Sequence, residues 1–190
     1  MFNSIEQVRA HVEHLKTAPP WEINEHLATL ARLANECETI CEFGVATGTS
    51  TWAFMSTQPK WMRSYDIIQY PELQLLIDTA KNLGWDWSLT IQDTTAADFL
   101  IPECDLLFID AMHNADAVGK ELKNASQVKK YIIFHDTEKY GEHGGDEMAE
   151  VREHIPGIMV AIRAFLEQNP SWKIKEKYDN NHGLLVIERC

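Results

Sequence analysis

ETICEFGVATGTS, residues 38–50, reads as a buried strand, a tight turn and the start of a helix. The apolar run 40–43 stops at Gly44, and Gly48 opens a helix through Thr49, Ser50, Thr51 and Trp52 to about Thr57. Such a unit brings backbone N–H groups against a ligand at the carboxyl edge of a parallel sheet. Glu42 discriminates among ligands. A dinucleotide turn reads G-x-G-x-x-G and accepts a pyrophosphate, and a P-loop carries a lysine after its last glycine. Here Gly44 and Gly48 are four apart, no lysine follows Gly48, and a carboxylate stands two residues before Gly44. A fixed negative charge there repels phosphate and suits a ligand bearing an ammonium or another cation.

The chain around this turn alternates strand and helix. Upstream, Ile5, Val8, Val12 and Leu15 follow a helical stripe that Pro19–Pro20 ends, and Ile23, Leu27, Leu30 and Ala34 mark a second helix. Residues 1–36 are therefore expected to form two accessory helices against the sheet or the mouth of the site. His11 and His14 share one face of the first helix with no third ligand nearby, so a solvated face is expected. Downstream, Trp61–Asp66 reads as a second strand ending in an acid 22 residues after Gly44. An acid at that place accepts hydrogen bonds from both ribose hydroxyls of a nucleoside. Pro71 starts a helix with Leu73, Leu76, Ile77 and Ala80 inward, closed by Gly84. Residues 85–92 alternate as a third strand. Asp93 and Thr94 follow it, placed either to meet an adenine edge or to cap the next turn.

Residues 104–110 (CDLLFID) form a continuous apolar strand ending in Asp110, with His113 three residues on and a helix from about Asn114. Residues 131–134 (YIIF) form a fifth strand ending in His135–Asp136. The polar, glycine-rich segment 137–150 reads as a loop, with 140–147 and its Gly141, Gly144 and Gly145 as a lid. Pro156 is expected to open a long helix, and 172–178, a DNNHG turn and 184–187 to close the chain as a hairpin. The pattern implies an α/β fold of Rossmann-like type. It predicts a mostly parallel seven-stranded sheet with an antiparallel C-terminal hairpin, helices on both faces, and one domain over 1–190 with its core at 38–190.

The 190 residues carry a net charge of −12, which argues against nucleic acid, where Lys and Arg must neutralise phosphates. No apolar run suits a membrane span, and the N-terminus is polar and periodic, unlike a signal peptide. The four cysteines, Cys37, Cys41, Cys104 and Cys190, form no C-x-x-C pair and are expected to be reduced thiols in a cytoplasmic protein.

The E-x-G-x-x-x-G pattern at Glu42–Gly48 resembles the cofactor motif of class I S-adenosylmethionine (AdoMet) methyltransferases. The stretch FIDAMHNADAVGKEL followed by YIIFHDT resembles the F-I-D-x-x-H…H-D-T pattern of their macrocin O-methyltransferase and cephalosporin-hydroxylase-like branch. That likeness extends from Glu38 to Arg189. It implies AdoMet held by Glu42, Gly44, Val45, Thr47, Gly48, Thr49, Ser50, Asp66, Asp93, Thr94 and Asp110. It further implies a Mg²⁺ ion on Asp110 and Asp136 with His135 beside them, and His113 as general base toward a hydroxyl of a sugar or similar acceptor, Asp110 and His135 assisting. Two departures stand out. Ala111 and Met112 occupy positions where relatives commonly carry acids, and the fifth strand ends in His135–Asp136–Thr137 instead of two acids. Imidazole is a poor magnesium ligand and a better one for Mn²⁺ or Fe²⁺, so the metal's identity and presence stay open.

The chemistry is coherent. Methyl transfer from a sulfonium needs an oxygen nucleophile, two carboxylates can hold a cation that acidifies a hydroxyl, and a histidine can remove its proton. The alternatives are a metal-independent methyltransferase of the same fold and a non-catalytic AdoMet- or nucleoside-binding protein. A small hydroxylated acceptor and a homo-oligomer complete the expectations.

Overall fold

The computed structural model describes residues 1–17, 23–146 and 150–190; Pro19–Pro20 and Glu147 lie outside them. The elements run α1 (Ile5–Thr17), α2 (Leu27–Ala34), β1 (Thr39–Phe43), α3 (Thr49–Met55), β2 (Trp61–Asp66), α4 (Gln74–Leu83), β3 (Trp87–Ile91), β4 (Cys104–Ile109), α5 (Ala115–Glu121), β5 (Val128–His135), β6 (His143–Gly145), β7 (Val151–Pro156), α6 (Ile158–Gln168), β8 (Trp172–Tyr178) and β9 (Leu184–Arg189).

A seven-stranded sheet has the order β3-β2-β1-β4-β5-β9-β8. Its first five strands are parallel, while β9 runs antiparallel to both β5 and β8. The chain reverses order after β3 and returns beside β1, so β1 and β4 part at a switch point where such sheets bind ligands. Side-chain alternation divides the core. Ile40, Met62, Leu106, Phe108 and Ile133 pack under α1–α4, and Cys41, Phe43, Leu107, Ile132 and Phe134 pack under α5 and α6. Each such side chain, once fully buried, contributes about 1.5–3 kcal/mol, which is why the central strands are apolar on both faces. Cys41 and Cys104 are fully buried, as expected. His11 is not solvated: its ring packs edge-on against Trp52 of α3 at 5.1 Å, and burial lowers its pKa.

Two expectations change. Residues 143–145 are not loop but pair antiparallel with β7 in a small second sheet. Their glycines serve close packing instead of motion. A Cβ on Gly144 would lie 2.8 Å from Cβ of Asn114, and one on Gly145 would lie 3.0 Å from the Tyr140 ring. Pro156 ends β7 instead of opening a helix. Gly157 intervenes because a Cβ there would meet the Gly141 carbonyl oxygen at 2.2 Å, and α6 starts at Ile158. Among the described residues no helix is long and apolar enough to cross a membrane.

Candidate active site

The turn after β1 is locked from three sides. Gly44 has φ +81° and donates its N–H to the Tyr65 carbonyl of β2 at 2.9 Å. A Cβ on Gly44 would sit 1.9 Å from the carbonyl oxygen of Asp110. Glycine is required there both by conformation and by the approach of β4. Gly48, with φ +87°, is the N-cap of α3. Glu42 shares the sheet face of Ile40 and so points beneath α3. Its Oε1 accepts from Ser50 Oγ at 2.7 Å, and its Oε2 from Thr51 Oγ1 at 2.8 Å and Ser64 Oγ at 2.7 Å. The carboxyl is fully buried under the turn, and Ser50 is turned toward it. Thr47 is exposed and Thr49 partly so, their hydroxyls 3.4 Å apart; Val45 is buried.

Burial raises the Glu42 pKa to about 7 against the lowering effect of its three hydroxyl partners. Glu121 on α5 is likewise raised to about 7 by burial, with Thr94 opposing. The sign follows from proton counts. Between the ordinary glutamate value of 4.5 and about 7 the native state keeps these protons while the unfolded chain loses them, so stability falls as pH rises through that window. Urea unfolding at pH 5 and pH 7.5 should show that fall, on the order of 2–3 kcal/mol per glutamate. Glu42→Gln and Glu121→Gln should each remove part of the slope. A wild-type stability that is flat or rises from pH 5 to 7.5 would contradict this burial effect.

Asp66 closes the turn from β2. Its Oδ2 accepts the N–H groups of Val45 at 2.8 Å and Ala46 at 3.0 Å, and Oδ1 accepts that of Ile68 at 3.1 Å. Ile67, Ile68 and Ile91 are exposed beside it, Ile91 being its register partner on β3. This apolar surface was missed in the sequence because isolated isoleucines in a turn and at a strand end carry no periodic signal. Asp93 takes the turn-capping alternative: its Oδ1 accepts the N–H of Thr95 at 2.8 Å and its hydroxyl at 2.7 Å. Thr94 is buried and donates to Glu121 Oε1 at 2.5 Å.

The ends of β4 and β5 converge as expected. His113 Nε2 lies 2.9 Å from Asp136 Oδ2 and 3.5 Å from Asp110 Oδ1. His135 Nδ1 lies 3.2 Å from Asp110 Oδ1, and its Nε2 meets the Asn181 carbonyl at 3.0 Å. Asn114 fixes the start of α5 by accepting the Ala117 N–H at 3.0 Å. Burial pulls the His113 pKa down, but the adjacent carboxylates of Asp110 and Asp136 outweigh it and raise it to about 10. For His135 burial is again outweighed, first by the Asp110 charge, and the pKa rises to about 9. Burial works against ionisation of Asp110, yet the two histidines hold it well below the usual carboxylate range. Asp136 has φ +61°, a strained value for a non-glycine residue.

Three participants lay outside the sequence reading. Tyr140, fully buried, stacks on His113 with centroids 4.6 Å apart and planes 6° from parallel. His182 Nδ1 lies 3.1 Å from Asp136 Oδ1. His26 anchors the N-terminal segment to the same corner, its Nε2 3.0 Å from the Asn180 carbonyl. The antiparallel pairing of β9 with β5 was the available signal for His182. It sets Leu184 opposite His135 and so delivers the preceding turn to the β5 carboxyl end.

No protein-family model matches the sequence, and no curated protein matches it. Solved structures do share its fold. A candidate caffeoyl-CoA O-methyltransferase from Staphylococcus aureus superposes with TM-score 0.63 at 16% identity, over 100% of this chain and 93% of that one. The Podospora anserina methyltransferase PaMTH1, bound to S-adenosylhomocysteine (SAH), gives 0.62 at 14% identity over 96% and 87%. The N-methyltransferase NodS of Bradyrhizobium japonicum WM9, also in complex with SAH, gives 0.55 at 14% over 99% and 98%. At these identities the likeness is one of fold, and the chain has the Rossmann-like fold of class I methyltransferases.

Proposed function

We propose that the protein is an AdoMet-dependent O-methyltransferase acting on a hydroxyl of a small molecule, such as a sugar or natural-product glycoside. The observation that carries this reading is the contact between its two halves. Gly44 of the cofactor turn lies against the Asp110 backbone, and the Asp110 N–H donates to the Phe43 carbonyl at 2.8 Å. A ligand in the turn therefore lies beside Asp110, His113 and Asp136. The SAH complexes of PaMTH1 and NodS support the cofactor.

In this reading Val45, Thr47, Gly48 and Thr49 line the methionine end, above the buried carboxyl of Glu42. Asp66 exchanges its turn amides for ribose hydroxyls, and Ile67, Ile68 and Ile91 offer an apolar wall to the base. The acceptor oxygen displaces the sulfonium: the S–CH₃ bond breaks, the O–CH₃ bond forms, and the hydroxyl proton passes to Nε2 of His113 in its neutral form.

The donor set fits a divalent cation. Asp110, His113 and Asp136 each offer a ligand atom within 4.8 Å of the others, and Asp136 Oδ1 and His113 Nε2 are buried without a hydrogen bond among the described residues. Asp110, Asp136 and His135 would hold it. Bound there, such a cation would acidify a coordinated hydroxyl and offset the carboxylate charges that keep His113 protonated. A metal-independent reading has its own support: two carboxylates faced by two histidines with raised pKa values already balance in charge, and His113 and His135 would then position the acceptor instead of taking its proton.

Methyl transfer from labelled AdoMet to a panel of sugars and phenols, with and without EDTA, tests both. Turnover lost in EDTA and restored by a divalent ion supports the metal. Full turnover in EDTA leaves the metal-independent enzyme. SAH binding without turnover on any acceptor would leave a non-catalytic binding protein.

A further inference from the structure

His182 is unused by the reaction above, yet it is held with care. Asn181, His182 and Gly183 all have positive φ, at 45°, 68° and 91°. Three such residues in a row are costly for non-glycine side chains. The turn is pinned there by the N–H groups of Glu138 and Lys139, which both donate to the His182 carbonyl at 2.9 and 3.1 Å. A Cβ on Gly183 would fall 2.5 Å from the Glu138 nitrogen, so only glycine lets the turn sit this close. The result is an imidazole whose Nδ1 is 3.1 Å from Asp136 Oδ1.

That approach is not a hydrogen bond. Asp136 is 5% exposed, and among the described residues its Oδ1 has no hydrogen-bond partner although a ring nitrogen stands beside it. Two ligand atoms 3.1 Å apart that do not hydrogen-bond to each other have the spacing of neighbours around one ion. Ligands at right angles, each about 2.1 Å from one ion, stand about 3 Å apart. His135 supplies the matching sign. Its Nε2 meets the Asn181 carbonyl at 3.0 Å, on the same turn. A metal-binding histidine commonly donates its second N–H to a backbone carbonyl, which leaves the other nitrogen's lone pair for the ion. His135, Asp136 and His182 each have one ligand atom within 4.8 Å of those of the other two.

We propose that His182, with His135 and Asp136, forms a two-histidine, one-carboxylate donor face that takes a first-row transition-metal dication in preference to magnesium. This rests on the reading that the corner binds a cation, and for a transition metal it puts His182, from the β8–β9 turn, in the place given above to Asp110. Nitrogen donors strengthen binding of transition metals far more than of Mg²⁺, so the turn sets the metal's identity.

The test is titration of the full chain with Co²⁺, read by calorimetry and visible absorption, alongside Mg²⁺. Wild type should bind one Co²⁺ more tightly than Mg²⁺. His182→Ala should weaken Co²⁺ by about tenfold or more, shift its absorption bands, and leave Mg²⁺ and SAH affinities unchanged. His182→Asn, whose side chain tolerates the left-handed backbone, separates loss of the ligand from strain in the turn; both variants are checked by thermal unfolding. A Co²⁺ affinity and spectrum unchanged in both variants would overturn the proposal. So would wild-type protein that binds SAH but no Co²⁺. Failure to bind SAH with Co²⁺ binding intact would remove the cofactor reading and leave the metal face standing.

Discussion

His113→Ala is expected to lower methyl transfer by about two to four orders of magnitude, the usual range for a positioned general acid or base, and to leave SAH affinity unchanged. The ring is fixed from three directions: by the Asn114 cap that starts α5, by the stack on Tyr140, and by Asp136 Oδ2 at 2.9 Å. Nothing in that set touches the Gly44 turn, which is why the two readouts should separate. The variant leaves Asp110 and Asp136 facing each other without one of their cations. Breaking a buried ion pair by removing one partner costs about 3–5 kcal/mol, so assays belong well below the variant's unfolding midpoint. His113→Gln, which restores a donor, should recover stability without turnover. Retained turnover in both variants would remove His113 from the chemistry, and lost SAH binding would mean it belongs to the cofactor pocket.

Gly44→Ala is expected to be the most damaging single methyl in the chain. The φ of +81° disfavours a side chain, and the new Cβ would fall 1.9 Å from the Asp110 carbonyl oxygen, where backbone and not a flexible side chain must yield. Gly84→Ala is the control. Gly84 also has positive φ, +66°, but a Cβ there meets nothing within 4 Å among the described residues. Conformational strain alone costs about 1–2 kcal/mol, which is the loss expected at Gly84. At Gly44 the loss should exceed about 4 kcal/mol, with SAH binding abolished because β1 and β4 are forced apart at the switch point. Denaturant unfolding of the two variants side by side decides it. Equal losses would show that the turn does not depend on close contact with β4.

Much of this was legible because parallel strands buried on both faces leave unbroken apolar runs. Residues 104–110 and 131–134 could be read as strands without an alternating pattern, and the acids at their ends then marked the carboxyl edge. Asp66, Asp110, His113, His135 and Asp136 all fall there. The direction of Glu42 was less evident. Strand alternation puts it on the Ile40 face, under α3, so its carboxyl meets Ser50, Thr51 and Ser64 instead of open cleft. The pairing of β6 with β7 was illegible, since a three-residue strand with two glycines has no periodicity. Tyr140 and His182 reach the corner through a polar loop and a hairpin turn. Only the strand order, with β9 antiparallel beside β5, brings the latter there.

The central claim is that the Gly44 turn and Asp66 hold a nucleoside cofactor. Calorimetric titration of the wild-type chain with SAH tests it most directly. Saturable one-to-one binding is expected, lost in Asp66→Ala as the ribose partner is removed. No heat of binding at about 1 mM ligand, where even an interaction worth about 4 kcal/mol would register, would contradict it.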